Sequence, residues 1–504
     1  MVRPNYLRIS RGVAFACGGV VAVLVLAAAL AILLFDADAV KSEAARIMLA
    51  QKQRSLRLDG DLSLSFWPGL GLRLSNASLS EKNSEQVFAA VTGARLSLKL
   101  LPLLHKELVV DTVELEGLSA SLVRHKDGSF NFDDLLSQDK DKPPLRFDVA
   151  GVNLKHGHVT WVDEAPGRRA EVTELDLSSG RLANVAQGKL TVAGRLAVDK
   201  PALASKVHLE GRYRYDLDKK TYALDGLDIR ASGDLAGLSG AETALDIDVL
   251  SVAPAGLDAS KFELAIKGKS GDQGVELKAS LPHVRLGGDR ASVETGSVTV
   301  AVSRPLQHGL ATFKLTSLEK DGRVLKAAKL ALNADVRVGA DTYLASLASP
   351  LVADLDSQSL NLPELGGEAE LGHAALAVKR IVLPIKGSLQ ADFSKSSLNT
   401  ALDTRLDDGK VAARLNLSRF SPPAIGFALD IERLNVDKYL PPSITPARAS
   451  PATPLDFSFL NGLDLTGALK IGFLQLSGVK TSNLRLDVKT KDGKLETLQT
   501  APNK

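Results

Sequence analysis

His156 and His158 stand two residues apart in this 504-residue chain, the spacing that puts both imidazoles on one face of a strand and lets them share a metal ion. A metal site needs three or four convergent ligands; no cysteine accompanies the pair, and Asp163 and Glu164 fall past the expected strand end. The pair reads instead as solvent-facing, beside Gly157 in a turn. His105, His125, His208, His283, His308 and His373 are scattered singly and support no triad. Gly69-x-Gly71 sits in a Pro-containing turn before a strand, without the strand–loop–helix setting of a phosphate loop. Asp133-Asp134 and Asp407-Asp408 occupy helix-start and turn positions, where capping and solvation account for them. The expectation is no catalytic, cofactor or metal residue, and no enzyme.

Composition narrows the class further. Lys plus Arg number 62 against 59 Asp plus Glu, interleaved rather than blocked, and aromatics are 5%. Neither a basic stripe nor a base-stacking platform is present, so a nucleic-acid partner is disfavoured. The single cysteine, Cys17, leaves no disulfide framework, and rigidity must come from sheet hydrogen bonds and packing.

Cys17 lies within Val13–Phe35, 23 residues without a charge, longer than the ~20 that cross a bilayer as a helix. Arg3, Arg8 and Arg11 precede this span and Asp36 and Asp38 follow it. The positive-inside bias puts the N-terminus in the cytoplasm and the rest of the chain on the far side. A cleaved signal peptide with Ala37 and Ala39 at its processing site is the rival reading. Signal h-regions run roughly 7–15 residues, so the length favours a retained single-pass anchor.

Asp36 to Gln51 predicts one short helix, with Val40, Ala44, Ile47 and Met48 on one face. From Leu56 onward apolar and polar residues alternate, segment after segment, with few helix-period stretches. The expected fold is mainly β: one transmembrane helix, then a long curved antiparallel sheet or groove with few short helices. Leu62, Leu64 and Phe66 share a parity, as do Leu96, Leu98 and Leu100, and Val192 with Leu196. A period of two puts each set on one face, and these are the candidate lining residues of an apolar surface. Glycine also falls on the apolar parity, at Gly60, Gly194, Gly211 and Gly467. Strand glycines mark bends or bulges, so these four are candidate bending points; a chance scatter is the bland alternative. The divisions read as 1–35 tail and anchor, 36–138 N-terminal region, 139–440 extended β-repeats, 441–454 Pro-rich linker and 455–504 a last module.

The order of motifs resembles the AsmA family of envelope proteins. After the anchor and short helix come Leu58-Asp59-Gly60-Asp61-Leu62-Ser63-Leu64-Ser65-Phe66 and Pro68-x-x-Gly71-Leu72-x-Leu74. A second block runs Val113-Glu114-Leu115-Glu116-Gly117, Arg124, Asp127-Gly128 and Asn131-Phe132-x-x-Leu135. Leu434 to Pro441 is similar to the segment before the family's C-terminal module, and Gly467-Ala468-Leu469-Lys470-Ile471 through Asp492-Gly493 to its opening. In the family that module continues through further strands and a Leu-Tyr-Gly-Gly-like turn, so 455–504 is expected to be its start, incomplete at Lys504.

The resemblance implies a protein tethered in the bacterial inner membrane and projecting into the periplasm. It implies a chorein-like N-terminus and a repeating β-groove that carries phospholipids or other acyl lipids in outer-membrane biogenesis. Burial of apolar surface contributes about 25 cal/mol per Å², so a long uncovered apolar face is untenable in water, and acyl chains would satisfy it. The alternative is a set of filled sandwiches or barrels acting as a scaffold or regulator, with outer-membrane or envelope assembly proteins as partners.

Overall fold

The computed structural model describes residues 36–65, 71–98, 110–136, 148–287, 290–373, 376–420, 423–439, 464–491 and 494–502. The chain divides into two compact units, Met1–Lys220 with Gly233–Ala236, and Thr221–Ser232 with Gly237–Lys504. The span Val13–Phe35, Phe66 and Leu100 lie outside the described residues. Among the described residues no helix is long and apolar enough to cross a membrane.

The first unit opens with α1 (Ala37–Lys52). The Asp36 carboxylate accepts from the Ala39 amide at 2.9 Å, and Gln53, at φ 57°, ends the helix by donating its N–H to the Leu49 carbonyl. Next come β1 (Leu56–Leu58) and β2 (Leu62–Ser65), both antiparallel to β3 (Gly71–Ser80). The helix packs mainly on these two short strands, and Lys52 in its last turn donates to the Asp134 carbonyl at 2.7 Å. Ala44 and Met48 are half-buried, whereas Val40 and Ile47, expected on the same face, are each 42% exposed.

β4 (Val87–Leu98) extends the sheet from β3, followed by β5 (Val110–Glu116) and β6 (Ser119–Arg124). The turn of α2 (Asp133–Leu136) follows, starting at the acidic pair as expected. The short β7 (Asp148–Val149) precedes β8 (Gly151–Asp163), and β8 runs parallel to both β5 and β6. β9 (Arg168–Ser179) returns antiparallel to β8. β10 (Leu182–Ala183) pairs with β7 in a separate two-stranded sheet, and β11 (Val185–Val198) and β12 (Leu203–Asp216) complete the ladder from β9.

The division between the units falls within β13 (Thr221–Leu235). In the second unit the strands are long: β14 (Leu238–Ala253), β15 (Gly256–Ser270), β16 (Gln273–Gly287), β17 (Arg290–Arg304) and β18 (Gln307–Asp321). β19 (Val324–Val338), β20 (Asp341–Asp354), β21 (Ser359–Gly372) and β22 (Ile381–Asp392) continue the meander. It closes with β23 (Ser397–Leu406), β24 (Gly409–Phe420) and β25 (Pro423–Asn435), each antiparallel to its predecessor. After a 3₁₀ turn at Val436–Lys438, β26 (Asp464–Leu476) lies parallel to β25. β27 (Val479–Lys491) and β28 (Lys494–Pro502) then revert to antiparallel pairing.

The mainly β expectation therefore holds, with one correction. The sheet is not wholly antiparallel, because connections longer than hairpins bring β8 beside β5 and β6, and β26 beside β25, in parallel.

Candidate functional site

The ladders bring the apolar parities of successive strands into line. In the first unit Leu62 lies opposite Leu74, Leu74 opposite Ala94, and Ala94 opposite Leu115. The row crosses the parallel joint from Leu115 to Leu154 and continues through Leu177 and Val192 to Leu209. A second row begins Leu64, Leu72, Leu96, Val113, Val152 and ends Leu190, Gly211. A third joins Val159, Val172 and Leu196. Leu190, Val192 and Leu196 are all even-numbered in β11, whose pairing with β12 is unbroken, so the three rows share one face.

Five of the candidate lining residues, Leu62, Leu64, Leu96, Val192 and Leu196, are thus on this face. Leu98 continues β4 opposite Val110. The second unit has its own row, from Leu245 and Leu264 through Ala279 and Val298 to Phe313 and Leu332. Within each unit the principal contacts among the described residues are between ladder neighbours, with smaller ones from α1 to β1 and β2, from β7 to β5 and from β10 to β11. Leu96 stays 37% exposed and Phe313 39%.

The glycines divide by setting. Gly60 falls in the break between β1 and β2, where the Asn76 carbonyl accepts from both Asp59 and Gly60 amides; a Cβ at Gly60 would collide with the Ser75 carbonyl. Gly194 sits at a bulge, alone opposite Glu174 and Leu175 of β9. Gly211 lies in an unbroken register with β11, and Gly467 in unbroken registers with β25 and β27. At Gly467 the missing side chain makes room for the Phe427 ring and carbonyl.

Much of the bulging is done by residues other than the glycines expected to bend the strands. Asn76, His156 and Glu174 adopt φ of 47°, 53° and 50° inside β3, β8 and β9. His156 is therefore a bulge within a strand rather than part of a turn. Its ring lies 4.0 Å from Glu116, while His158 reaches Glu171 at 2.8 Å, so the two imidazoles have separate partners. Among the described residues no cluster of three or more His, Cys, Asp or Glu has the placement to hold a metal.

The alternate parity carries Arg73, Arg95, Glu114 and Asn153 in a polar row across β3, β4, β5 and β8. A cavity of about 640 Å³ opens among these polar side chains, on the opposite face from the apolar rows.

Sequence reading also missed Arg54, the one large side chain with no exposed surface among the described residues. Its guanidinium donates to both Asp134 oxygens at 2.6 and 2.8 Å and to the carbonyls of Ser80 at 2.8 Å and Asn131 at 2.5 Å. Glu81 adds a longer ion pair at 3.6 Å, and the guanidinium carbon sits 4.9 Å over the Phe88 ring. The Arg54 hydrogen bond holds the Asp134 carboxyl below its ordinary range. This knot ties the end of α1 to the β3–β4 turn and to α2. Arg54 directly precedes the first strand signal, and nothing local distinguishes it from a solvated cation.

Fold and site define a class: an amphipathic multistranded sheet whose apolar rows are largely half-buried among the described residues. Residues 11–270, just over half of the chain, match the AsmA family model, and the chain belongs to the AsmA family. No curated protein and no solved structure matches it.

Proposed function

We propose that this AsmA-family chain is a non-enzymatic, membrane-anchored envelope protein that binds acyl chains of phospholipids on its apolar sheet face and passes them toward the outer membrane. The observation that carries the reading is the row from Leu62 to Leu209, apolar at every one of its eight positions, seven of them only half-buried among the described residues. Such a face loses about 25 cal/mol for each Å² left against water, and acyl chains remove that cost without needing a complementary protein surface. In this reading Val13–Phe35 anchors the chain in the bacterial inner membrane, with the N-terminus cytoplasmic and the bulk periplasmic. The test is mass spectrometry of lipids recovered with the full chain in mild detergent. Bound phospholipid near stoichiometry or above is expected. Lipid-free, well-folded protein would overturn the reading in favour of a scaffold whose partners are envelope assembly proteins.

A further inference from the structure

One end of the apolar face in the first unit is closed, unlike the rest of it. Past Leu209 and Gly211 the same parity of β12 carries Tyr213 and Tyr215, opposite Gly188 and Ala186 of β11. Their rings stack at 5.8 Å. The segment from Gly180 to Asn184 does not turn tightly from β9 into β11 but forms a strap over these rings. The Tyr213 hydroxyl donates to the Arg181 carbonyl at 2.7 Å, and the Tyr215 hydroxyl accepts from the Ala183 amide at 3.3 Å.

The strap is itself fastened. Leu182–Ala183 pairs with Asp148–Val149, and the Arg181 guanidinium grips both Asp148 oxygens at 2.8 and 2.9 Å. Tyr213, Ala183 and Ala186 are 8%, 6% and 8% exposed, against half-buried Leu190, Val192, Leu196 and Leu209 along the same two strands. Gly188 has no side chain because the Tyr213 hydroxyl occupies that space. Burial also raises the Tyr213 phenol above its ordinary range, so it stays a neutral donor.

We propose that Tyr213, held under the 180–184 strap, is the end wall of the acyl path on this unit and limits the length of chain the apolar face accepts. The inference rests on the lipid-binding reading above. From Leu196 to Leu190 the open run of β11 is six residues, about 20 Å at ~3.3 Å per residue. One leaflet of a ~30 Å hydrocarbon core needs about 15 Å. A tail of ordinary length therefore fits between the Leu196 row and the wall, and a much longer one meets the Tyr213 ring.

The full chain is reconstituted in vesicles holding equal amounts of dimyristoyl, dipalmitoyl and diarachidoyl phosphatidylethanolamine, recovered in mild detergent, and its bound lipids weighed by mass spectrometry. Wild type should retain the two shorter lipids over diarachidoyl. Tyr213→Ala should raise the diarachidoyl share at least about fourfold, the equivalent of one more buried methylene at ~0.8 kcal/mol. Tyr213→Leu, which keeps apolar bulk but is shorter, gives the deciding measurement if the alanine variant does not accumulate. Tyr213→Phe keeps the ring and should keep the wild-type profile. An unchanged profile in folded Tyr213→Ala or Tyr213→Leu overturns the wall while leaving lipid binding intact. So does a Tyr213→Phe profile shifted as far as the alanine one. Wild type that takes up no lipid from any vesicle overturns the underlying reading, and the wall with it.

Discussion

Arg54 illustrates how a single residue organises the N-terminal region. Burying a guanidinium is costly, and here two carbonyls, a bidentate carboxylate and an aromatic face offset that cost. Arg54→Met should lower stability by about 3–5 kcal/mol, because the mostly buried Asp134 carboxylate loses its bidentate partner; urea denaturation monitored by circular dichroism reads it. The pH dependence has a definite sign. Asp134 is held below 3.8, so its contribution is present above that value and is lost as pH falls through the lowered folded-state pKa. The acid-side loss of stability below about pH 3.8 should therefore shrink in Arg54→Met. On the apolar face, Val192→Asp puts a carboxylate into the middle of a row at a half-buried position. The side chain can reach water, so abundance should stay near normal while bound lipid falls several-fold. Thr191→Asp, on the other parity, is the control. Collapse of Val192→Asp would favour a packed core at this position.

Among the elements, the long strands depend on bulges to keep their apolar residues on one face. In β9, Val172 and Leu177 are five apart and would point oppositely in a regular strand. The extra residue at Glu174, φ 50°, restores them to the face shared by Val192 and Leu196. Glu174→Gly should leave stability within about 0.5 kcal/mol, since relief of the left-handed conformation offsets the entropy glycine adds to the unfolded chain. Glu174→Val should cost about 1–2 kcal/mol, because a β-branched side chain tolerates that φ poorly. Gly60→Val drives a side chain into the Ser75 carbonyl and should cost about 1–3 kcal/mol by overpacking. Denaturant midpoints of the three variants, compared at equal slope, test this ordering.

Taken as a molecule, the chain spends its apolar residues on rows rather than on a centre. Among the described residues the one large side chain that is fully buried, Arg54, is charged. Circular dichroism of residues 36–504 should accordingly show dominant β signal with a small helical share, and a helix-dominated spectrum would contradict the fold. The proposed anchoring makes a separate forecast. A reporter active only in the periplasm, fused after Lys504, should be active, and the mature protein should keep its N-terminal arginines. A silent fusion, or a mature chain beginning near Val40, would remove the anchor from the proposal.

Alternation is a local property, so Leu62, Leu64, Leu96, Val192 and Leu196 could be assigned to an apolar face from residue order alone, as could the mainly β class and the acidic start of α2. What residue order did not reveal was neighbourhood. The joint between Leu115 and Leu154 depends on a parallel pairing across many intervening residues, which no period along the chain encodes. Bulges at His156 and Glu174 were hidden because a one-residue parity flip within strands of 12–13 residues looks like a strand end. Gly467 shares the parity of Gly194, yet only the folded neighbours separate the bulge at Gly194 from the close approach of Phe427 at Gly467. Arg54 and Tyr213 were invisible for the same reason. A buried charge is defined by partners as distant as Ser80 and Asp134, and a wall by the strap that crosses it, so both exist only once the chain has folded back on itself.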